Sequence, residues 1–399
     1  MQEFEIDARI NRVAEPPKTP KVILLNPKEE KTLREFYEAN DYSYPGWFFL
    51  GQGAVFGPGL EAQDGHLTEM THFGTIYSPV DRLSAFTKLR HLELSFEDQA
   101  DIAPLRQLAE LTDLGISGAR VPDLSPLAAL KQLQRLVLSS IDLGDDLGPL
   151  TNLKSLKNLR LRGQRLQDLG PLAGLTGLVK LSLEFKLPLG DLDLGPLTGL
   201  PALKSLNLRE NRLDTLKSLP GLAALASLNL DWNSGLKAGS WGKISSLREL
   251  SLNSCDLEDL AFLAGLPGLE TLSLADNLIE DLAPLARMAA LKELSLQSNK
   301  ISDLAPLAGL TSLTALDLSE NEIIDPAPLS GLAALERLDL SRNEIGGLKA
   351  LSGLSALREL DLSYNRISDL PPLGRLTALT KLGLKRNKLR NPRGHKIIE

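Results

Sequence analysis

The sequence predicts an α/β repeat solenoid, a stack of short strand-and-turn units preceded by a small α/β cap at the N-terminus. Two observations support this prediction. The chain has 399 residues and 91 leucines, and 84 of these leucines lie in residues 89–399. From Leu89 onward the pattern Leu-x-x-Leu-x-Leu-x-x-Asn returns at intervals of 22 residues, with two longer intervals. Self-similarity at a fixed period indicates a repeat architecture.

The N-terminal residues 1–66 lack the repeat and are predicted to cap the first unit, because the end of a stacked core needs cover. Residues 22–25 predict a buried strand, residues 28–39 an amphipathic helix and residues 47–50 a second strand. The helix is expected to bury Leu33, Phe36 and Tyr37 on one side. A small independent functional domain is the alternative interpretation of this region.

Residues 67–86 fit the repeat loosely and predict a degenerate repeat one period before Leu89. His66 and His72 lie close in sequence to acidic residues, which is one pattern of a metal site. Their spacing matches no ligand motif, and His72 falls on a predicted interior position. We therefore expect these side chains to pack rather than to bind a metal.

The first half of each repeat predicts one short strand. In the repeat from Leu291, Leu294 and Leu296 alternate with polar residues, as in a half-buried strand. Asn299 then ends the strand, where its amide can bond backbone groups that the turn leaves without partners. This asparagine predicts a ladder of side-chain hydrogen bonds that runs from repeat to repeat.

The second half of each repeat predicts a short turn of 3₁₀ type. Its leucines recur at a spacing of three, and a proline stands near the start, where its missing N–H is not needed. One unit cannot bury its own apolar side, so the units must stack. Thirteen full repeats and one partial repeat follow the degenerate one, and they begin at Leu89, Leu111, Leu133, Leu156, Leu178, Leu203, Leu225, Leu247, Leu269, Leu291, Leu313, Leu335, Leu357 and Leu379.

This pattern resembles the leucine-rich-repeat superfamily. The segment Asn-x-Ile-x-Asp-Leu-x-Pro-Leu is similar to the 22-residue repeats of internalins and of the leucine-rich regulatory subunit of protein phosphatase 1, and it places a repeat domain at residues 67–399. The resemblance implies a curved horseshoe with a parallel β-sheet on its concave face and 3₁₀ or helical turns on its convex face. It also implies that the concave face binds another macromolecule. We expect the chain to differ from surface internalins, since it shows no signal peptide, immunoglobulin-like segment or wall-sorting tail.

The residue that ends each strand divides the repeats into two groups. The later repeats carry Asn211, Asn233, Cys255, Asn277, Asn299, Asn321, Asn343, Asn365 and Asn387. The earlier repeats carry Glu97, Ala119, Ile141, Gln164 and Lys186, and both length changes fall among them. Cys255 is predicted to be a buried substitute for asparagine, because nothing nearby in sequence would activate its thiol. A redox or nucleophilic role is the alternative.

Residues that flank the strand leucines are expected to point out of the concave face. Aromatic residues and arginines are frequent in binding hot spots, and the early and middle repeats supply several. The candidate protein-binding residues are Phe96, Arg160, Arg162, Lys180, Phe185, Arg209, Asp231 and Trp232. Scattered exposed side chains with no role are the alternative interpretation.

The later strands carry small or acidic residues on this face, ending in a column of Asp317, Asp339 and Asp361. Like charges on adjacent strands are unfavourable, which a basic partner segment or a bound cation would relieve. We favour the simpler interpretation of a solvated column, screened by salt.

Composition narrows the class of function. The net charge of −7 disfavours nucleic acid and anionic membranes as partners, and no apolar run is long enough to span a membrane. The single cysteine excludes an intramolecular disulfide framework and favours a reduced, cytoplasmic compartment. The basic C-terminal segment from Lys381 is expected to discourage aggregation at the last strand.

No catalytic or phosphate-binding motif stands out, and we predict neither a cofactor nor a metal. The first hypothesis is therefore a non-enzymatic protein-binding scaffold, monomeric alone, that inhibits, neutralises or recruits a partner protein on its concave face. The second hypothesis is an effector or enzyme whose active part lies in residues 1–66, with the repeats reading the substrate. A carbohydrate receptor is a third, but it would need more aromatic platforms.

Overall fold

The structure is a computed structural model that divides into two compact units, Met1–Leu203 and Lys204–Glu399. It describes residues 22–39, 48–51, 54–56, 60–76, 80–96, 101–118, 120–141, 146–163, 166, 168–185, 193–213, 216, 219–236 and 241–389. The fold class predicted from the sequence, a repeat solenoid with parallel strands and short 3₁₀ turns, is confirmed. In each unit the strands of the repeats lie side by side in chain order, with 3₁₀ turns between most of them.

The N-terminal region of the first unit contains one helix and two small groups of strands. The elements are β1 (Val22–Leu24), α1 (Pro27–Ala39), β2 (Phe48–Gly51), β3 (Ala54–Phe56), β4 (Leu60–Gln63) and β5 (His66–Ile76). Strands β1, β3 and β2 form an antiparallel sheet in that order. Strand β4 pairs antiparallel with β5 through a hairpin at Asp64 and Gly65, both with positive φ, as an Asp-Gly pair favours.

Helix α1 docks through one buried carboxylate and an apolar face. Leu33 and Phe36 are fully buried, as the amphipathic pattern predicts. The buried Glu29 carboxylate accepts the N–H of Leu67 at 2.8 Å and lies 2.8 Å from Nδ1 of His66. Asn26 caps the helix, since its Oδ1 accepts the N–H of Glu29 at 3.0 Å. These contacts fix the helix against the start of β5.

Strand β5 lies where the degenerate repeat is predicted. It pairs in parallel with the following strand, in a register that aligns Met70 with Leu92. The division of the chain at residues 66 and 67 stays a prediction. So does the interior position of His72, whose side chain lies outside the described residues.

The remaining strands follow the predicted repeats. The first unit continues with β6 (His91–Phe96), β7 (Asp113–Ser117), β8 (Arg135–Ile141), β9 (Asn158–Gly163) and β10 (Lys180–Phe185). The second unit contains β11 (Ser205–Asn207), β12 (Ser227–Asn229), β13 (Glu249–Ser251), β14 (Thr271–Ser273), β15 (Glu293–Ser295), β16 (Ala315–Asp317), β17 (Arg337–Asp339), β18 (Glu359–Asp361) and β19 (Lys381–Gly383). Strands β5–β10 and strands β11–β19 are parallel within their units.

Short 3₁₀ turns join the strands. They span Val80–Ala85, Ala103–Gln107, Ser125–Ala129, Gly148–Asn152, Gly170–Gly174, Gly195–Gly199, Leu219–Gly221, Ala261–Gly265, Ala283–Arg287, Ala305–Leu307, Ala327–Gly331, Lys349–Gly353 and Pro371–Arg375. Pro306 lies at the start of its turn, as predicted. An aspartate precedes the turn and was not predicted to have a role: Oδ1 of Asp303 accepts the N–H of Ala305 at 2.8 Å. This contact satisfies a backbone donor at the turn entrance.

Leucine side chains from successive strands align and form the core. In the second unit Leu272, Leu294 and Leu316 share one row of the sheet, and all three are buried. The turn leucines close the other side of the same core, and Leu307 is fully buried. At about 25 cal/mol per Å² of apolar surface, this repeated burial is the main favourable term in folding.

The predicted asparagine ladder is present in the second unit. Nδ2 of Asn321 donates to the carbonyl oxygens of Leu296 at 2.9 Å and Leu318 at 3.1 Å. Oδ1 of Asn321 accepts the N–H of Ile301 at 3.0 Å. One side chain therefore satisfies backbone groups of its own repeat and of the repeat before it.

The two units differ in how their strands end. We count the first leucine of each repeat as position 1, which puts the ladder asparagine at position 9. In the second unit every strand has three residues, and position 8 takes φ between +53° and +61°. In the first unit β6–β10 have five to seven residues, so position 8 of β6 and of β10 still belongs to the strand. The loss of the asparagine accompanies the longer strands.

No helix among the described residues has both the length and the apolar composition that a membrane span requires.

Replacement of Asn321 by alanine should lower the free energy of unfolding by about 1–3 kcal/mol, because buried backbone groups lose their partners. The measurement is urea denaturation followed by circular dichroism. Glu322→Ala is the matched control, since this neighbouring side chain is exposed. An unchanged unfolding curve for Asn321→Ala would refute the ladder.

Candidate functional site

The candidate surface is the strand face, which we define as the side of the strands that points away from the leucine core. Positions 3, 5 and 7 of each repeat lie on it, because side chains alternate along a strand. The eight candidate residues fall on both units, and each unit has its own group. The binding role of the eight residues remains a prediction; the structure gives their positions.

An ion-pair cluster occupies the strand face of β9 and β10 in the first unit. Nη2 of Arg160 lies 3.0 and 3.1 Å from the two carboxylate oxygens of Glu184. The hydroxyl of Ser182 donates to the same carboxylate at 2.9 Å, and Nε of Arg162 lies 3.8 Å from it. The side chains of Arg160 and Glu184 are each 12% exposed, so this pair lies flat against the sheet.

Arg162 and Lys180 are the accessible cations of this group. The side chain of Arg162 is 38% exposed, and Lys180 is exposed at the start of β10. Lys180 has no carboxylate within ion-pair distance in the part of the chain that the structure describes. Arg160, Arg162 and Lys180 occupy strand-face positions, and the contact of Arg160 with Glu184 was not predicted from the sequence.

Two predicted positions are wrong: Phe96 and Phe185 point into the core rather than out of the strand face. Both occupy position 8, and their exposed fractions are 5% and 1%. The reason is the longer strand. Without a turn at position 8 the alternation continues, and side chains at positions 4, 6 and 8 all face inward. The two aromatic rings therefore belong to the core of the first unit.

In the second unit, Trp232 stands out from the strand ends with 53% of its surface exposed. It occupies position 8 and takes φ +61°, which turns the side chain outward. The guanidinium of Arg209 lies over the indole ring, 5.8 Å from its centroid, and contacts Glu210 at 3.0 Å. Positive φ at position 8 is common to the repeats of the second unit, so Trp232 differs from most of them in its large exposed ring and not in its backbone.

Asp231, next to Trp232, is a further correction, because it is buried rather than exposed. Its Oδ1 accepts the hydroxyl of Ser251 at 2.6 Å and the N–H of Asn253 at 2.8 Å. Its own N–H donates to Oδ1 of Asn229 at 2.8 Å. Asp231 therefore holds neighbouring strands together, and a partner would not reach it without breaking these bonds.

The sequence analysis missed a titratable cluster on β6–β8 of the first unit. Nε2 of His91 lies 3.5 Å from Glu93, and Nη1 of Arg135 lies 3.6 Å from the same carboxylate. Burial alone would lower the pKa of His91. The hydrogen bond to Glu93 and the charges of Glu69, Glu93 and Asp113 outweigh burial and raise it. The sequence offered one signal, a histidine two residues before a glutamate on a predicted strand.

The glutamate of this cluster is ionised more readily than usual. Burial would raise the pKa of Glu93, but the contacts with His91 and Arg135 lower it overall. Gly115 lies between the strands of Glu93 and Arg135, and a side chain there would crowd Glu93. The missing side chain lets the ion pair form across the intervening strand.

The acidic column of the second unit forms as predicted, on β16, β17 and β18. Asp317, Asp339 and Asp361 lie in one row. Each Oδ1 accepts the N–H two residues ahead at 2.8–2.9 Å. Burial raises the pKa of Asp339, and the charges of Asp317 and Asp361 raise it further. The hydrogen bonds from Ser341 lower this pKa but do not outweigh the other effects. The register therefore brings like charges onto adjacent strands, as expected from the sequence.

Cys255 occupies the ladder, as predicted. Its Sγ donates to the carbonyl oxygen of Leu230 at 3.2 Å, the contact that asparagine Nδ2 makes in other repeats. Burial raises the pKa of the thiol to about 12, so it stays protonated and unreactive at neutral pH. In the described part of the chain, no three histidine, cysteine or acidic side chains are placed to hold a metal ion.

Phe185→Ala should lower the free energy of unfolding by about 3–5 kcal/mol, because it leaves a cavity in the core. The measurement is urea denaturation with intrinsic fluorescence. Arg162→Ala on the neighbouring strand is the control, with a change of less than about 1 kcal/mol. If the Phe185→Ala variant is as stable as the parent, the ring does not lie in the core and the outward position predicted from the sequence is supported.

Asp339→Asn should raise the stability at neutral pH by up to about 1 kcal/mol, because it removes a repelled charge. Asn207 and Asn229 make the same Oδ1 contact in their own repeats, so the backbone bond is kept. The raised pKa means that folded Asp339 takes up its proton at a higher pH than unfolded Asp339. The charge therefore opposes folding above that pKa, and the penalty disappears as the pH falls through it.

The measurement is urea denaturation of Asp339→Asn and the parent at neutral pH and at progressively lower pH. The advantage of the variant should shrink as the pH falls. An advantage that grows at low pH, or a variant less stable at neutral pH, would contradict repulsion within the column.

Comparison with known proteins agrees with this geometry. The family model described as "Leucine rich repeat" matches residues 176–234, 267–323, 290–345 and 324–367. The model described as "Leucine Rich repeats (2 copies)" matches residues 245–287 and 355–393. Together the matches span more than half of the chain. A comparison with curated proteins finds no match.

Among solved structures, an internalin of Listeria monocytogenes is 29% identical with a TM-score of 0.61, over 75% of this chain and 88% of that one. A leucine-rich-repeat protein of Leptospira interrogans is 25% identical with a TM-score of 0.63, over 77% and 81%. The Toll–Spatzle complex of Drosophila shares the fold at 21% identity and a TM-score of 0.64, over 81% and 47%. The repeats, the ladder and these matches together show that the chain belongs to the leucine-rich-repeat family, with repeats of internalin type.

Proposed function

We propose that this chain is a non-enzymatic scaffold that recognises a partner protein with its strand face, the predicted concave face. The observation that supports this most is Trp232. A large aromatic side chain is held in the left-handed region, half exposed, with Arg209 over its ring. Tryptophan and arginine dominate the binding energy of many interfaces. The fixed backbone lowers the entropy lost on binding.

The strand face of the first unit carries a separate group of residues that the proposal also includes. Arg162 and Lys180 are accessible, and Arg160 is held in place by Glu184. Arginine can form forked hydrogen bonds with carboxylates of a partner. Phe96, Phe185 and Asp231 drop out of the proposed site because they are buried. Such binding could inhibit, neutralise or recruit the partner. We also propose a cytoplasmic location, because a chain with a single cysteine does not depend on disulfide bonds.

The test uses the intact chain to isolate its partner and then measures affinity by titration calorimetry. Trp232→Ala should raise Kd by about 5–30-fold, which corresponds to a loss of about 1–2 kcal/mol. Tyr364→Ala is the matched control. Tyr364 also occupies position 8, takes φ +57°, is 43% exposed and lies beneath an arginine, Arg342, at 4.8 Å.

Tyr364→Ala should leave Kd within about twofold of the parent, because the proposed surface contains none of the later repeats that carry Tyr364. Ser295→Ala, on the face of β15, should also have little effect. If Tyr364→Ala weakens binding and Trp232→Ala does not, the site lies on the later repeats and the proposed surface is wrong. If neither variant nor Arg162→Ala changes Kd, the partner does not use the strand face.

A further inference from the structure

The strand face of β8–β10 concentrates positive charge in a chain that is negative overall. Nine residues occupy positions 3, 5 and 7 of these strands: Arg135, Val137, Ser139, Asn158, Arg160, Arg162, Lys180, Ser182 and Glu184. Four of them are cations and one is a carboxylate. Arg135 contacts Glu93 of β6 and Arg160 contacts Glu184. This leaves Arg162 and Lys180 as the more exposed cations. Because the net charge of the chain is −7, a polyanion would be repelled unless a local patch attracts it.

From this patch we infer that the strand face of β8–β10 docks an acidic segment of the partner protein, with Arg162 and Lys180 as the contacting cations. The inference rests on the proposed function, since it names the chemistry of the partner. It specifies the charge of the partner segment and the strands that bind it, neither of which follows from the family fold.

Glu184 demonstrates how this face binds a carboxylate. Its two oxygens are shared among Arg160 Nη2, the hydroxyl of Ser182 and, more distantly, Arg162 Nε. Glu184 thereby neutralises Arg160, which is largely buried and faces it. Arg162, at 3.8 Å and more exposed, keeps donors for a second carboxylate.

Lys180 lies on the next strand, four residues from the position that pairs with Arg162. In the register of β9 and β10, Lys180 pairs with Asn158, and Glu184 pairs with Arg162. Neighbouring strands are about 4.8 Å apart, and alternate residues along a strand are about 7 Å apart. Lys180 and Arg162 are therefore about 14 Å apart, and carboxylates four positions apart in an extended segment have a comparable spacing, so one segment can meet both cations.

The chemistry of the face favours protein carboxylates over nucleic acid. Single-stranded nucleic acid binds best where aromatic side chains stack on its bases. None of the nine residues on this face is aromatic, whereas arginine and lysine both pair with carboxylates. We therefore expect an acidic protein segment, and the test below distinguishes it from nucleic acid.

The test measures fluorescence anisotropy of a labelled ten-residue polyglutamate peptide with the full chain at low salt. The parent should bind it, and binding should weaken as sodium chloride screens the charges. The double variant Arg162→Gln with Lys180→Gln should raise Kd at least about tenfold. The control is Lys131→Gln with Lys157→Gln, which removes two exposed charges of the same unit from segments that precede β8 and β9. It should leave Kd within about twofold.

A charge-conserving variant, Arg162→Lys with Lys180→Arg, should keep most of the binding, and equal melting curves for all variants would show that each is folded. Equal weakening by the control pair would overturn the inference, because it would show a general charge effect. So would equal binding of polylysine of the same length. An oligothymidylate of matched charge could instead bind more tightly than polyglutamate, through Arg162 and Lys180. That result would show that the patch binds nucleic acid and not an acidic protein segment.

The partner isolated with the intact chain separates this inference from the proposed function. If Trp232→Ala weakens that partner but Arg162→Gln with Lys180→Gln leaves its Kd unchanged, the acidic docking is wrong and protein recognition stands. If both variants leave Kd unchanged while polyglutamate still binds through Arg162 and Lys180, the docking chemistry stands and recognition through Trp232 is wrong.

Discussion

In the second unit, one asparagine in nearly every repeat satisfies backbone groups that no strand or turn can reach. Asn343 shows the arrangement: its Nδ2 donates to Leu318 and Leu340, and its Oδ1 accepts the N–H of Ile323. Because unpaired buried carbonyls are costly, the chain can turn sharply after a three-residue strand only where such a side chain is present. The leucine core supplies most of the stability, but the ladder sets the path of the backbone.

That path decides which side chains a partner can touch. With the ladder present, position 8 leaves the strand at positive φ and points outward, as Trp232 and Tyr364 do. Where the asparagine is missing in the first unit, Phe96 and Phe185 at the same position turn into the core. The first unit therefore offers charged residues on its strands, while the second offers aromatic residues at its strand ends. The same 22-residue pattern thus produces two different kinds of surface.

The repeat, the core leucines, the 3₁₀ turns and the ladder could be predicted from the sequence, because each follows from a local pattern with a fixed period. The strand face could be predicted for Arg160, Arg162 and Lys180, which lie at regular positions. Phe96 and Phe185 were misplaced because the missing asparagine accompanies a longer strand, whose alternation carries position 8 into the core. Asp231 was misplaced because its burial depends on Ser251 and Asn253 of the next repeat. The cluster of His91, Glu93 and Arg135 depends on contacts across three strands, which periodicity does not reveal.

The most direct test of this account is hydrogen–deuterium exchange at the amide of Ile323, read out by NMR. Its acceptor is the side chain of Asn343, so its protection reports on one rung of the ladder. The account predicts that this amide exchanges as slowly as strand amides in the parent. In Asn343→Ala it should lose that protection, while Ile301, which donates to Asn321, keeps its own. Fast exchange at Ile323 in the parent, or unchanged protection in Asn343→Ala, would contradict the central role of the ladder.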